Sequence, residues 1–222
     1  IPVVFRSIDI LHRLVPYPAL RPLTKFLERT VYSRADAILA ISPNHLRYVT
    51  SMGAIESKVK LLLLPIDTNI FYPSVDCSEV RQKWGLGEKD QVVVFVGTLF
   101  EFSGLDGFIR QFPQVVDTIP EAKLVIVGDG PQRPKLERII SELGLERQVI
   151  ITGFQPYQTM PQYISLATVC INPFLNTKAT KDIFPGKIIQ YIACGKATVA
   201  TPLLGITAVL GEESRMVIYT DS

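Results

Sequence analysis

The chain has little of what several function classes require. Only three cysteines, Cys77, Cys170 and Cys194, stand among its 222 residues. They lie far apart with no C-x-x-C spacing, so no disulfide framework is read and a reducing, cytoplasmic compartment is expected. The two histidines, His12 and His45, have no cysteine or carboxylate at ligand spacing, and no metal is expected. A formal net charge of +2, without any run of like charges, argues against nucleic-acid binding through bulk charge. No apolar run approaches the ~20 residues of a membrane span, and no signal peptide is visible. An initiator Met is also missing. The chain opens with IPVVF, inside a strand, and ends at VIYTDS, just after another strand with no closing helix. It therefore reads as a fragment lacking sequence at both ends.

What is present is a core. Hydrophobic residues make up 47% and charged residues 20% of the chain, enough apolar material for a globular fold. From Gln91 onward, apolar runs (QVVVFVG, AKLVIVG, QVIITG, TVCINPF, ATVAT) alternate with amphipathic stretches. Val and Ile runs without polar alternation predict strands buried on both faces, and the helices between them make those strands parallel. This is a doubly wound α/β sheet. The earlier part is also α/β: a strand at PVVF, a helix around RPLTKFLERTVYSRA, a strand at AILAIS, a helix after Pro43 and a strand at VKLLLL. The segment PIDTNIFYPS, Pro65 to Ser74, carries two prolines and no regular period, which places a linker there. Two Rossmann-like domains follow, residues 1–74 and 75–222, with a ligand cleft expected between them.

Two motifs carry chemistry. In KLVIVGDGPQRPKL a strand ends in Gly128-Asp129-Gly130 and a helix is expected from Pro131. A dinucleotide fingerprint needs a third glycine where Arg133 stands, so NAD binding is disfavoured and a dehydrogenase is the least fitting class. The plainer alternative is a tight turn in which the glycines relieve crowding and Pro131 presets the first helical φ. In DIFPGKIIQYIACGKATVAT, Pro185 suits the first helical position and Gly195 a left-handed stop, predicting about three turns. The helix N-terminus would lie at the carboxyl end of the TVCINPF strand, where free N–H groups favour an anion such as a diphosphate. Lys187 in that first turn opposes the helix dipole, which calls either for a compensating anion or for an exposed, solvated position.

The blocks VFVGTLFEFSGLDGFI, AKLVIVGDGPQRPKLERIISELGLERQVIITGF and CGKATVAT, preceded by ERTVYSRADAILAISP and DTNIFYP, resemble group 1 retaining glycosyltransferases in order and spacing. The resemblance covers nearly the whole chain. It implies a GT-B type α/β fold, two Rossmann-like domains facing a cleft, both incomplete here. In that family an E-x(7)-E motif supplies one acid to the donor sugar and one to the nucleotide ribose. The same spacing puts Asp182 and Gln190 at those positions, and Gln190 offers a neutral amide in place of a carboxylate. The family's Arg and Lys after the first strand of this domain are Thr98 and Ser103 here, both uncharged. Lys187, the amides of the helix that opens at Pro185, Gly186 among them, and the Gly97 turn would then supply the charge facing the diphosphate. Phe184, in the FPGK segment, belongs to this variant donor site. Main-chain groups at Gly153 and Phe154 would meet the base. A histidine that faces the sugar in the family is replaced by Ile8, followed by Asp9; Asp9 or His12 would border the cleft, with helix packing the competing role for His12.

The implied activity is transfer of a sugar from a nucleotide-diphosphate donor to a glycan, lipid-linked or small-molecule acceptor with retention of configuration. No protein nucleophile, metal or cofactor is required. A noncatalytic relative that binds a sugar nucleotide or a partner protein competes with this, because Ile8, Thr98, Ser103 and Gln190 all depart from the family pattern. A sugar-nucleotide epimerase would need proton-transfer residues that the sequence does not display. Arg21, Lys25, Arg29 and Arg34 on one helix suggest peripheral contact with an anionic inner-membrane face. Glu28 among them favours a solvated face instead.

Overall fold

The structure is a computed structural model that describes residues 1–220. It divides into two compact units. The first comprises residues 1–65, 176–185 and 202–214, the second residues 66–175, 186–201 and 215 onward. The first change of unit, between Pro65 and Ile66, falls at the start of the expected linker. The return of 176–185 and 202–214 to the first unit departs from a contiguous division at residue 74.

The first unit is built on a three-stranded parallel sheet, β1 (Val4–Ser7), β2 (Ala37–Ala40) and β3 (Val59–Leu61), in that order. Helices α1 (Leu11–Leu14), α2 (Arg21–Arg34) and α3 (Pro43–Ser51) connect them. Ser42 caps α3, its hydroxyl accepting from the His45 amide at 3.1 Å, and Pro43 fits the first turn, where its missing N–H costs nothing. Tyr32, Ile38, Ala40, Val49 and Val59 form the core. Helix α2 buries Glu28 and Tyr32 and exposes Leu23, Phe26 and Leu27. The expectation that Glu28 punctuates a solvated basic face is therefore corrected: its carboxylate points into the unit.

The second unit holds a six-stranded, all-parallel sheet. Its strands are β4 (Gln91–Val96), β5 (Ala122–Val127), β6 (Val149–Ile151), β7 (Val169–Asn172), β8 (Ala197–Ala200) and β9 (Ile218–Tyr219), in the order β6-β5-β4-β7-β8-β9. The order runs outward from β4 in one direction and then from β7 in the other, so the topological switch point lies between those two strands. Val92, Val94, Val125, Val127 and Cys170 pack under Tyr163 and Tyr191 in a continuous core, which is why these strands read as unbroken apolar runs. The connecting helices are α4 (Ser78–Lys83), α5 (Leu105–Thr118), α6 (Arg133–Glu142), α7 (Met160–Ser165) and α8 (Gly186–Ala193). A last helix, α9 (Leu204–Leu210), belongs to the first unit. Helix α6 begins at Arg133 with Pro134 in its first turn, not at Pro131: Pro131 and Gln132 form a turn, and the Gln132 amide donates to the Leu99 carbonyl at 3.0 Å.

Candidate functional site

Glycines shape the carboxyl edge of the second sheet. Gly97, directly after β4, has φ +143°, and Gly128, directly after β5, has φ +148°. A Cβ at Gly128 would collide with the Gly97 carbonyl oxygen, and one at Gly130 would come within 2.7 Å of the Leu99 nitrogen. The two loops nest because neither carries a side chain at these points. Asp129 accepts from the Gly130 amide at 2.8 Å and pairs with Arg133 at 2.7 Å. The Arg133 guanidinium holds its carboxyl below the usual range. The tight-turn reading of this motif describes the observed geometry.

Helix α8 starts at Gly186, directly after Pro185, and has eight residues, a little over two turns rather than three. Gly195, at φ +68°, ends it, with the Lys196 amide donating to the Tyr191 carbonyl at 3.0 Å. Ile188 and Tyr191 are buried, and the Tyr191 hydroxyl accepts from the Val96 amide at 2.9 Å, tying the helix to the last residue of β4. Lys187 is turned back over the switch point. Its ammonium lies 3.8 Å from the Phe95 ring centroid and 4.5 Å from that of Phe174. A Cβ on Gly97 would stand 2.8 Å from Nζ, so the bare glycine makes the space the ammonium fills. Among the described residues no carboxylate pairs with it. Burial lowers its pKa well below the ordinary lysine value. Two aromatic faces thus hold a poorly hydrated cation. Gln190, three residues on, shares its helix face.

The uncharged positions have a different use. Ser103 is fully buried; its hydroxyl donates to the Thr98 carbonyl at 3.0 Å and accepts from the Phe100 amide at 3.2 Å. Ser103 and the Thr98 main chain thereby fix the loop after β4 and supply no positive charge. Gly153 follows β6 at φ +70° and bridges Gly128; Phe154 beside it is 73% exposed. One residue went unread in the sequence. Asn172, the last residue of β7, is fully buried, and neither carboxamide atom has a hydrogen-bond partner among the described residues. A polar residue closing the apolar run VCIN is the only signal it gives.

The remaining candidates lie in the first unit. Asp182 pairs with Arg13 at 2.6 Å. Phe184 is buried, Ile8 is exposed, and burial raises the pKa of Asp9. His12 sits against Glu28, Nδ1 to Oε2 at 2.6 Å, in the packing role that competed with a cleft position. Glu28 also accepts from the Leu11 amide at 2.9 Å and the Tyr48 hydroxyl at 3.1 Å. Nearby, His45 lies 2.9 Å from the Ser7 hydroxyl, which is 3.0 Å from that of Tyr32. This buried network was invisible in the sequence, where Glu28 looks like one more charge on a charged helix.

An all-parallel doubly wound sheet, with glycine turns and a half-buried lysine at its switch point, defines an α/β unit of the class that holds phosphate-bearing ligands. A family model for glycosyl transferases group 1 matches residues 90–222, and the chain belongs to that family. It is 31% identical over 190 residues to the GDP-mannose-dependent alpha-(1-6)-phosphatidylinositol monomannoside mannosyltransferase of Mycolicibacterium smegmatis, covering 82% of this chain and 48% of that one. The crystal structure of Anabaena HepE in complex with UDP and glucose matches with a TM-score of 0.76 at 22% identity, over 99% of this chain and 58% of that one. WaaG, a glycosyltransferase involved in lipopolysaccharide biosynthesis, matches with a TM-score of 0.77 at 16% identity, over 99% and 61%. These likenesses establish the GT-B type fold. The chain spans about half the length of the curated relatives it matches. Among the described residues no helix is long and apolar enough to cross a membrane.

Proposed function

We propose that the whole protein transfers a sugar from a nucleotide-diphosphate donor to a glycan, lipid-linked or small-molecule acceptor with retention of configuration, and that Lys187 neutralises the departing diphosphate. The observation that carries this is the Lys187 ammonium held between Phe95 and Phe174 beside Gly97, with no carboxylate paired to it among the described residues. A half-buried ammonium held against two aromatic rings is preorganised for charge that develops on a leaving group. The GDP-mannose dependence of the Mycolicibacterium relative and the UDP and glucose bound to Anabaena HepE support a nucleoside-diphosphate donor here.

Each remaining residue takes a part that its chemistry allows. The Gly97 turn and the amides of α8 from Gly186 onward add N–H dipoles to the charge of Lys187. Gln190, on the same helix face, offers its carboxamide to the ribose hydroxyls. Gly153 and Phe154 meet the base through their main chain, and Asp182 accepts from donor-sugar hydroxyls. Acid–base catalysis by the protein is not needed for retention, because the leaving diphosphate oxygen can take the acceptor proton as the new glycosidic bond forms on the face it vacates. The neutral Ser103, whose hydroxyl is consumed within its loop, favours a second reading, a noncatalytic sugar-nucleotide binder.

Thermal stabilisation of the full-length protein by UDP, GDP, ADP and their sugar conjugates tests both. A ligand at 100 times its dissociation constant adds about 2.7 kcal/mol. Stabilisation by one nucleotide family, lost in Lys187→Met and accompanied by sugar transfer or slow donor hydrolysis, is the expected result. Stabilisation without either reaction selects the noncatalytic binder, and none at all overturns both.

A further inference from the structure

The first unit carries a basin of about 600 Å³ lined by His12, Arg13, Arg21, Thr177, Lys178 and Lys181, with Ala179 at its wall. Among the described residues no carboxylate lines it. The nearest acids are already engaged: Asp182 is paired with Arg13, and Glu28 lies behind His12, filled by the His12 ring, two amides and the Tyr48 hydroxyl. Among the described residues Arg21 spends only its Nε–H, donated to the Val15 carbonyl at 3.0 Å. Lys178 and Lys181 make no ion pair or side-chain hydrogen bond among the described residues. They project from one turn that Thr177 builds, its hydroxyl accepting from the Ala179 amide at 3.2 Å and its carbonyl from the Lys181 amide at 2.9 Å.

We propose that this basin binds a phosphate group carried by the acceptor. The proposal rests on the transfer function given above and narrows its acceptor from any glycan or alcohol to a phosphate-bearing one. Arg21 on one segment and Lys178 and Lys181 on another, three cations without acidic partners among the described residues, face one hollow and repel each other until an anion enters. The unused N–H groups of Arg13 and Arg21 suit the fixed fork geometry of phosphate oxygens, and the lysines add mobile point charges. A neutral sugar would leave all of these donors to water. The volume lies in the range of small-molecule sites and holds a phosphate with the polyol or sugar attached to it.

The test uses the full-length protein with its donor site filled by whichever nucleoside diphosphate stabilises it. The probes are sn-glycerol 3-phosphate in solution and phosphatidylcholine vesicles doped with phosphatidic acid, against glycerol and undoped vesicles. Binding of the phosphate probes that weakens with salt, and falls about tenfold or more in the double variant Lys178→Gln, Lys181→Gln, is expected. Stabilisation by the nucleotide should be unchanged in that variant. Stronger retention on doped vesicles marks a lipid-borne phosphate, and tighter binding of the soluble probe marks a free one; both support the proposal. Phosphate probes that bind no better than their neutral counterparts, or equally well to the double variant, overturn it. Loss of nucleotide stabilisation in the double variant also overturns it, assigning the basin to the donor. If no nucleotide stabilises the wild-type protein, the transfer function falls, while the probes still report whether the basin is an anion site.

Discussion

The Arg13 guanidinium donates to the Asp182 carboxylate at 2.6 Å across 169 positions of sequence. It joins α1 to the segment 176–185, and both side chains are largely covered, at 34% and 20% exposure. In the proposed function Asp182 meets sugar hydroxyls, so Arg13 acts as a positioning residue that holds one carboxylate oxygen and leaves the other free. Arg13→Gln should lower kcat/KM about tenfold by releasing that geometry, while costing only about 1 kcal/mol of stability. A double-mutant cycle with Asp182→Asn should be strongly non-additive in kcat/KM. Additive effects would show that the two side chains act independently.

Lys187 has opposite consequences for folding and for binding. Its pKa in the folded protein lies well below 10.5 because burial disfavours the ammonium. The unfolded chain therefore binds the extra proton more readily. Stability falls as pH drops from the unfolded pKa towards the folded one, and the penalty persists below both. Lys187→Met should accordingly raise the stability of the ligand-free protein near neutral pH by about 1 kcal/mol, some 2–4 °C in Tm for a protein of this size. The same substitution should abolish stabilisation by nucleoside diphosphates. A variant less stable than wild type would mean that the cation is not strained where it lies.

The glycine pair offers a sharper test of the switch-point geometry. Gly128→Ala drives a Cβ into the Gly97 carbonyl at φ +148°, and no side-chain movement can relieve a backbone collision. It should cost about 3 kcal/mol or more in urea unfolding. Gly144 has φ +65° with nothing near its would-be Cβ, so Gly144→Ala should cost only the left-handed strain, about 1 kcal/mol. Equal losses would contradict the nesting of the two loops.

These contrasts explain what could be read from the sequence. The central strands of the second unit were legible because Val and Ile dominate them and most of their residues are buried, as Val92, Val94, Phe95 and Val96 are in β4. The end of α8 was legible because Gly195 takes the left-handed conformation that few other residues tolerate. The start of α6 was not, since Pro131 and Pro134 both satisfy a first-turn preference and only the Gln132 to Leu99 hydrogen bond decides between them. Lys187 was visible as an oddity against the helix dipole, but its aromatic cradle comes from Phe95 and Phe174 on two other segments. Glu28 misled because burial depends on Leu11, His12 and Tyr48, all distant along the chain. The association of 176–185 with the first unit rests on pairs such as Arg13 with Asp182, which no local pattern encodes.

Acid sensitivity should originate at His45. Its ring is buried beside Ser7, and burial lowers its pKa below 6.5; the charges of Asp182 and Glu28 pull it up, and that of Arg13 pushes it down. A histidine with a depressed folded pKa is neutral in the folded unit and protonates more easily when unfolded. The associated stability is therefore intact above 6.5 and declines as pH falls from that value through the folded pKa. His45→Gln keeps a hydrogen-bonding partner for the Ser7 hydroxyl and removes the titration. Tm measured from about pH 7.5 down to about pH 5 should fall more steeply in wild type than in the variant. The two proteins should differ most at the acid end of the range in slope, not in their Tm near neutrality. Parallel curves would place the acid-sensitive group elsewhere, with Asp9, whose pKa burial raises, expected to act in the opposite sense and so unable to mimic the effect.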